Sequence, residues 1–150
     1  MKPLACIFSL LLLAYSSVYS QDLKSGGVLK PEQAIMDIRH YTVALDVDPA
    51  KEMIDGYAEI DLITSEPTAT LLFDLVHLYT VSKVWVNKKE QKFKQDGDRV
   101  YITVADMLPA GKIKVKIAYG GKPGIASRPP WDGGFTWAKD STGNPWIAVT

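Results

Sequence analysis

Lys112-Ile113-Lys114-Val115-Lys116-Ile117-Ala118-Tyr119 is the stretch that decides the fold. Ile113, Val115, Ile117 and Tyr119 fall on every second position, and Lys112, Lys114 and Lys116 fall between them. Successive side chains of a strand point to opposite faces, so this spacing gives one apolar and one charged face. The register is firmly set. A slip of one residue would expose four large apolar side chains, forfeiting on the order of 6–12 kcal/mol. That loss rivals the whole stability of a typical domain. The three lysines are also expected to discourage edge-to-edge pairing if this strand lies at a sheet edge.

The same period extends outward. Pro109-Ala110-Gly111 is a turn before this strand. Gln91–Lys94 and Arg99–Val104 flank Gln95-Asp96-Gly97-Asp98, and Asp-Gly between alternating segments predicts a hairpin. Val81, Val84 and Val86 form another strand, with Trp85 on the opposite face, and Leu71, Phe73 and Leu75 a further one. Near the start, Tyr41, Val43, Leu45 and Val47 alternate with Thr42, Ala44 and Asp46 as a half-buried strand. Asp48-Pro49-Ala50-Lys51 is a turn, since proline presets φ and aspartate bonds its own backbone. It leads into a long strand over 52–64, with Ala58, Ile60 and Leu62 on one face and Tyr57, Glu59 and Asp61 on the other. Gly56 marks a bulge or a close backbone approach. Pro31 to Met36 suits one helical turn with Pro31 at its start. No later segment keeps a helical period beyond about two turns. The expected fold is all-β, an antiparallel two-layer β-sandwich with saddle-like sheets, incomplete at its C-terminus.

Residues 1–20 read as a secretory signal peptide: Lys2 is the positive start, Leu4 to Tyr15 the apolar run, and cleavage is expected between Ser20 and Gln21. Residues 21–36 form a polar, glycine-bearing flexible leader, and 37–150 the β domain. Export to the periplasm, cell surface or medium is expected, without membrane insertion after cleavage. Cys6 is the only cysteine and lies within the signal peptide, so a disulfide or cysteine metal site within the mature segment is excluded. Without Lys2 the remainder has 16 basic and 17 acidic residues, a balance that argues against nucleic acid or an anionic membrane as partner.

Few residues carry chemistry. His40 and His77 are the only histidines, 37 positions apart, and neither stands in an H-E-x-x-H pattern. That ligand count fails a zinc hydrolase. No G-x-S-x-G occurs, and the pairs Gly26-Gly27, Gly120-Gly121 and Gly133-Gly134 read as turns rather than phosphate loops. Asp46, Asp48, Glu59 and Asp61 are numerous enough for a glycosidase pair, but carboxylates on outer strand faces are usually just solvated. No catalytic, cofactor-binding or metal-binding residue is therefore expected here. Arg128 to Thr150 holds three of the four tryptophans, Trp131, Trp137 and Trp146, and ends in the apolar run Trp146-Ile147-Ala148-Val149. The tryptophans read as core or interface material; a sugar-binding or protein-binding surface of a secreted β-sandwich is the alternative. The abrupt apolar end leads one to expect more of the domain beyond Thr150.

Taken in order, several pieces resemble the N-terminal domain of the aminopeptidase N family of zinc metallopeptidases. Asp37 to Asp48, with His40-Tyr41, looks like that family's first hairpin strand. Gly56-Tyr57-Ala58-Glu59-Ile60 is similar to its second. Leu108-Pro109-Ala110-Gly111 followed by Ile117-Ala118-Tyr119-Gly120-Gly121 resembles a later turn and strand ending. Pro129-Pro130-Trp131-Asp132-Gly133-Gly134-Phe135-Thr136-Trp137, with Gly143-Asn144-Pro145-Trp146-Ile147, resembles an exported bacterial branch. The resemblance implies a parent enzyme that removes N-terminal residues from peptides. Its Zn2+ would be held by H-E-x-x-H and a later glutamate in a catalytic domain of the same polypeptide. The metal would polarise the peptide carbonyl and activate water. It implies for this stretch a scaffolding role against that catalytic domain and the substrate cavity.

Overall fold

The computed structural model describes residues 28–150, so the expected signal peptide and residues 21–27 of the leader lie outside the described residues. A single turn, α1 (Pro31–Ala34), opens on proline, whose missing N–H is not needed at that position. Strands follow: β1 (Met36–Asp48), β2 (Met53–Thr64), β3 (Thr68–Asp74), β4 (Tyr79–Val86) and β5 (Lys89–Glu90). Then come β6 (Lys92–Asp96), β7 (Arg99–Leu108), β8 (Gly111–Gly121), β9 (Phe135–Lys139) and β10 (Pro145–Val149).

Two antiparallel sheets form the layers. The larger runs β1-β2-β8-β4-β5 and the smaller β3-β7-β6; β9 and β10 make a separate hairpin. The alternating pattern explains why the layers meet as they do. Ile60, Leu62, Val84, Val86, Val115 and Ile117 of the large sheet point toward Leu71, Phe73, Val100, Ile102 and Val104 of the small one. All eleven side chains are buried. Thr64 is the buried polar exception, and its hydroxyl accepts from the Gly111 N–H at 3.3 Å.

Several sequence expectations become more exact. β8 lies between β2 and β4, so its lysines guard no edge. They lie instead on the outer face, where Lys114 meets Glu59 and Asp61. Val81 and Val84 are an odd number apart yet both are buried. A register shift between Val81 and Lys83 restores them to one face. At Gly56 the ladder is unbroken, with Leu45 opposite, so no bulge occurs there. The glycine serves a close approach: a Cβ would run into the Ala44 carbonyl. The bulge in this hairpin falls between Ile38 and His40.

The turns follow local chemistry. Asp48 accepts from the Ala50 and Lys51 N–H groups at 3.0 and 3.1 Å. Asn87 and Lys88 both have positive φ between Val86 and Lys89, the backbone a two-residue type I′ hairpin needs. Asp96 pairs with Arg99, so Gly97-Asp98 is the loop of the predicted hairpin, with Gly97 at φ 57°.

β1 departs from the half-buried strand expected. Tyr41 is 53%, Val43 54% and Leu45 43% exposed. Their partners across the ladder are Ile60, Ala58 and Gly56, so they occupy the core side of the sheet. β1 is an edge strand; Met36 and Ile38 at its start pack against the core, while the row from Tyr41 onward stays exposed.

The core assignment predicts a graded response to truncation. Leu71→Ala, at a fully buried position, should lower unfolding stability by about 2–5 kcal/mol. Met107→Ala, 67% exposed, should stay within about 0.5 kcal/mol. Urea midpoints of the two variants check this.

Candidate functional site

Three surfaces gather polar or aromatic residues. On the outer face of the large sheet, β2 and β8 align Glu59 opposite Lys116 and Asp61 opposite Lys114. Lys114 Nζ lies 2.8 Å from Glu59 and 2.9 Å from Asp61. These carboxylates, Glu59 first, push the Lys114 pKa upward. Lys116 Nζ sits 3.5 Å from the centre of the Tyr57 ring and 5.9 Å from that of Trp85. Such exposed pairs are screened by water and add little net stability. The face is a solvated ladder of facing acids and lysines. Glu59 and Asp61 share one ammonium, an arrangement unlike a water-separated acid and base.

The second surface is the mouth between the layers. A groove of about 240 Å³ is lined by Gln33, Met36, Tyr41, Phe73, Leu75 and Tyr119, among others. Gln33 Nε2 donates to Asp74 at 2.9 Å. Burial raises the pKa of Tyr41 and Tyr119, and the Asp74 charge adds to the effect at Tyr41. Both phenols therefore stay protonated at neutral pH, and the groove offers an apolar wall rather than a reacting group.

The third surface is the tryptophan-bearing tail. Its pieces are tied by short-range bonds. Ser127 Oγ donates to Asp132 at 2.6 Å, the Thr150 hydroxyl donates to the Asp132 carbonyl at 2.8 Å, and Gly134 and Thr150 exchange backbone bonds. β9 and β10 pair with Trp137 opposite Ile147 and Trp146 opposite Ala138. Trp137 and Trp146 thus lie on opposite faces of the hairpin. Trp137 stacks on Phe135 with ring centres 5.2 Å apart, and its Nε1–H is buried without an acceptor. Trp131 is 84% and Trp146 51% exposed. Both Trp137 and Trp146 border a shallow groove beside Pro49, Ala50 and Glu52. Their placement on opposite faces of the hairpin keeps these two rings from forming one flat stacking platform for a sugar.

Asp140 closes this hairpin. Its carboxylate accepts from the Thr142 hydroxyl and N–H, both at 2.8 Å, and from the Asn144 N–H at 2.9 Å. These bonds, that of the Thr142 side chain foremost, lower its pKa to about 2. Asp48 and Asp98 are also held below the ordinary carboxylate value, through bonds from Lys51 and His77 respectively. A general acid needs the opposite shift.

The histidines do not meet as ligands. His40 lies on β1 opposite Asp61. His77, between β3 and β4, bonds Asp98 through Nδ1 at 2.7 Å and through its N–H at 2.7 Å. Among the described residues no group of three or more His, Cys, Asp or Glu is placed to hold a metal ion. The described side chains therefore offer no three-ligand zinc site. The tail strands β9 and β10 were missed by periodicity, although Phe135 and Trp137 alternate and Gly143 punctuates the turn.

Neither a protein-family model nor a curated protein matches the chain. Solved structures do. An M1 zinc metallopeptidase from Deinococcus radiodurans is 20% identical at TM-score 0.55, over 73% of this chain and 27% of its own. A mutant of that enzyme bound to a Tyr-Ser-Ala substrate is 22% identical at TM-score 0.57, with 73% and 27% covered. Yeast LTA4 hydrolase in complex with bestatin is 18% identical at TM-score 0.60, over 98% of this chain and 22% of its own. This chain thus spans about a quarter of the length of the structures it matches.

Acid should loosen the Asp140 turn specifically. Its folded pKa lies below the unfolded value, so its contribution is complete above about pH 4. It fades as pH falls through about 2. Amide shifts of Thr142 and Asn144 should titrate in that window in the native chain and lose that transition in Asp140→Ala. By fold, the chain is an all-β unit shared with part of the M1 zinc metallopeptidases, in keeping with the family its ordered motifs resemble.

Proposed function

We propose that this chain serves as the N-terminal, non-catalytic β domain of an exported zinc-dependent aminopeptidase that removes N-terminal residues from peptides. The observation that carries this reading is the shared fold, which takes in 73–98% of this chain but only 22–27% of the metallopeptidases. One of those relatives is described with a peptide substrate. The motif order from Asp37 to Ile147 supports the same family, and Lys2 to Ser20 supports export. The zinc chemistry resides in a catalytic domain of the same polypeptide.

The role of the β domain is mechanical. Its two packed layers hold a face, and Trp131 in the loop before β9 and Trp146 on β10 project into solvent. Exposed aromatic anchors beside the bonded Asp132–Thr150 tie suit burial against that neighbouring domain, where they would wall the substrate cavity.

Two arms test this reading. The 150-residue chain with added zinc should release nothing from an aminoacyl-p-nitroanilide, whereas the polypeptide encoded by the complete reading frame should hydrolyse it. In that longer protein Trp146→Asp should cut kcat/KM about tenfold or more through misplaced packing. A reading frame without H-E-x-x-H, or an inert full-length product, would overturn the assignment. Hydrolysis by the 150-residue chain alone would do so as well.

A further inference from the structure

Gln95 bonds to the backbone of a strand in the other layer. It lies on β6, the outermost strand of the small sheet, and reaches β4 of the large one. Its Nε2–H donates to the Tyr79 carbonyl at 2.7 Å, and its Oε1 accepts from the Val81 N–H at 3.1 Å. The residue is half-buried.

β8 pairs with one edge of β4 along its length. On the other edge β5 pairs only at Trp85 and Val86, so among the described residues no strand covers Tyr79 to Val81 there. A backbone donor and acceptor left without partners at a half-buried edge would cost free energy. A glutamine side chain ends in a planar amide whose carbonyl and NH2 offer the donor and acceptor of a peptide group. Gln95 bonds on either side of Thr80, as one residue of a neighbouring parallel strand would.

The position matters because β4 changes phase there. The register shift leaves Ser82 as the extra residue between Val81 and Lys83, and Ser82 Oγ donates to the Ala118 carbonyl at 3.3 Å. Only with that extra residue do Val81, Val84 and Val86 share the buried side. Gln95 grips the strand immediately before it. The chain also passes from the large sheet to the small one between Glu90 and Lys92, at the same corner.

We propose that Gln95 is a clasp that stands in for a missing strand. Its amide closes the β4–β6 corner of the sandwich and fixes the bulge that sets the parity of β4.

Hydrogen exchange and urea unfolding of the complete chain test the clasp. Gln95→Leu keeps the bulk and removes both bonds. Its Val81 amide should gain about tenfold in exchange rate over the Thr80 amide, whose ladder partner is Gly120. Gln95→Glu keeps the acceptor but sets an anionic oxygen against the Tyr79 carbonyl. That contact raises the carboxyl pKa above its unfolded value of about 4.3, and protonation returns the donor. The urea midpoint of Gln95→Glu should therefore lie below that of the unchanged chain at neutral pH and close on it as pH falls toward about 4. The gap for Gln95→Leu should stay constant over that range. The flanking charges of β6, Lys94 and Asp96, bond each other at 3.0 Å and are common to all three chains. Equal exchange at Val81 and Thr80 in Gln95→Leu overturns the proposal. So does a Gln95→Glu gap that ignores pH, which decides alone if Gln95→Leu does not fold.

Discussion

The structure depends on the alternation of β8. Val115 and its neighbours Ile113 and Ile117 project from the centre of the large sheet into the space beneath the small one. β2 and β4 take their registers from it, with Ile60 and Val86 both opposite Val115. Those residues then meet Leu71, Val100 and Ile102 across the interlayer gap. A core of this kind, built by burial, holds only while each strand keeps its parity. The bulge after Val81 shows how that parity is kept: one extra residue returns Val84 and Val86 to the buried side.

The other face of the same strand has little energetic weight. Its lysines are matched by Glu59, Asp61, Tyr57 and Trp85, all within reach of water. Titratable groups are thus held in states that suit solubility: Lys114 stays charged and the shifted aspartates stay ionised. Exposed apolar side chains remain in two places, the tryptophan-bearing tail and β1.

Much of the fold was legible because its strands carry their own period. The hairpins at Asp48–Lys51 and Asp96–Asp98 followed from turn chemistry, and the apolar faces of β2, β3, β4 and β8 followed from spacing. β9 and β10 were harder. Gly133, Gly134 and Pro145 break the tail into short pieces, and its aromatics serve a local stack rather than the main core. The candidate surfaces were legible only as residue types. Sequence grouped Trp131, Trp137 and Trp146 together, yet pairing of β9 with β10 sends Trp137 and Trp146 to opposite faces.

By itself the sequence determined an all-β chain, the register-bearing faces of its strands, and the lack of a zinc-ligand pattern, since these depend on neighbours in the chain. Tertiary structure decided which strand stands in the middle and which at the edge. It placed the lysine-bearing β8 centrally and left the apolar row of β1 open to solvent. The physical reason is range: side-chain alternation is set within a few residues. Strand order, by contrast, is set by pairings such as Ile60 with Val115 that join distant parts of the chain.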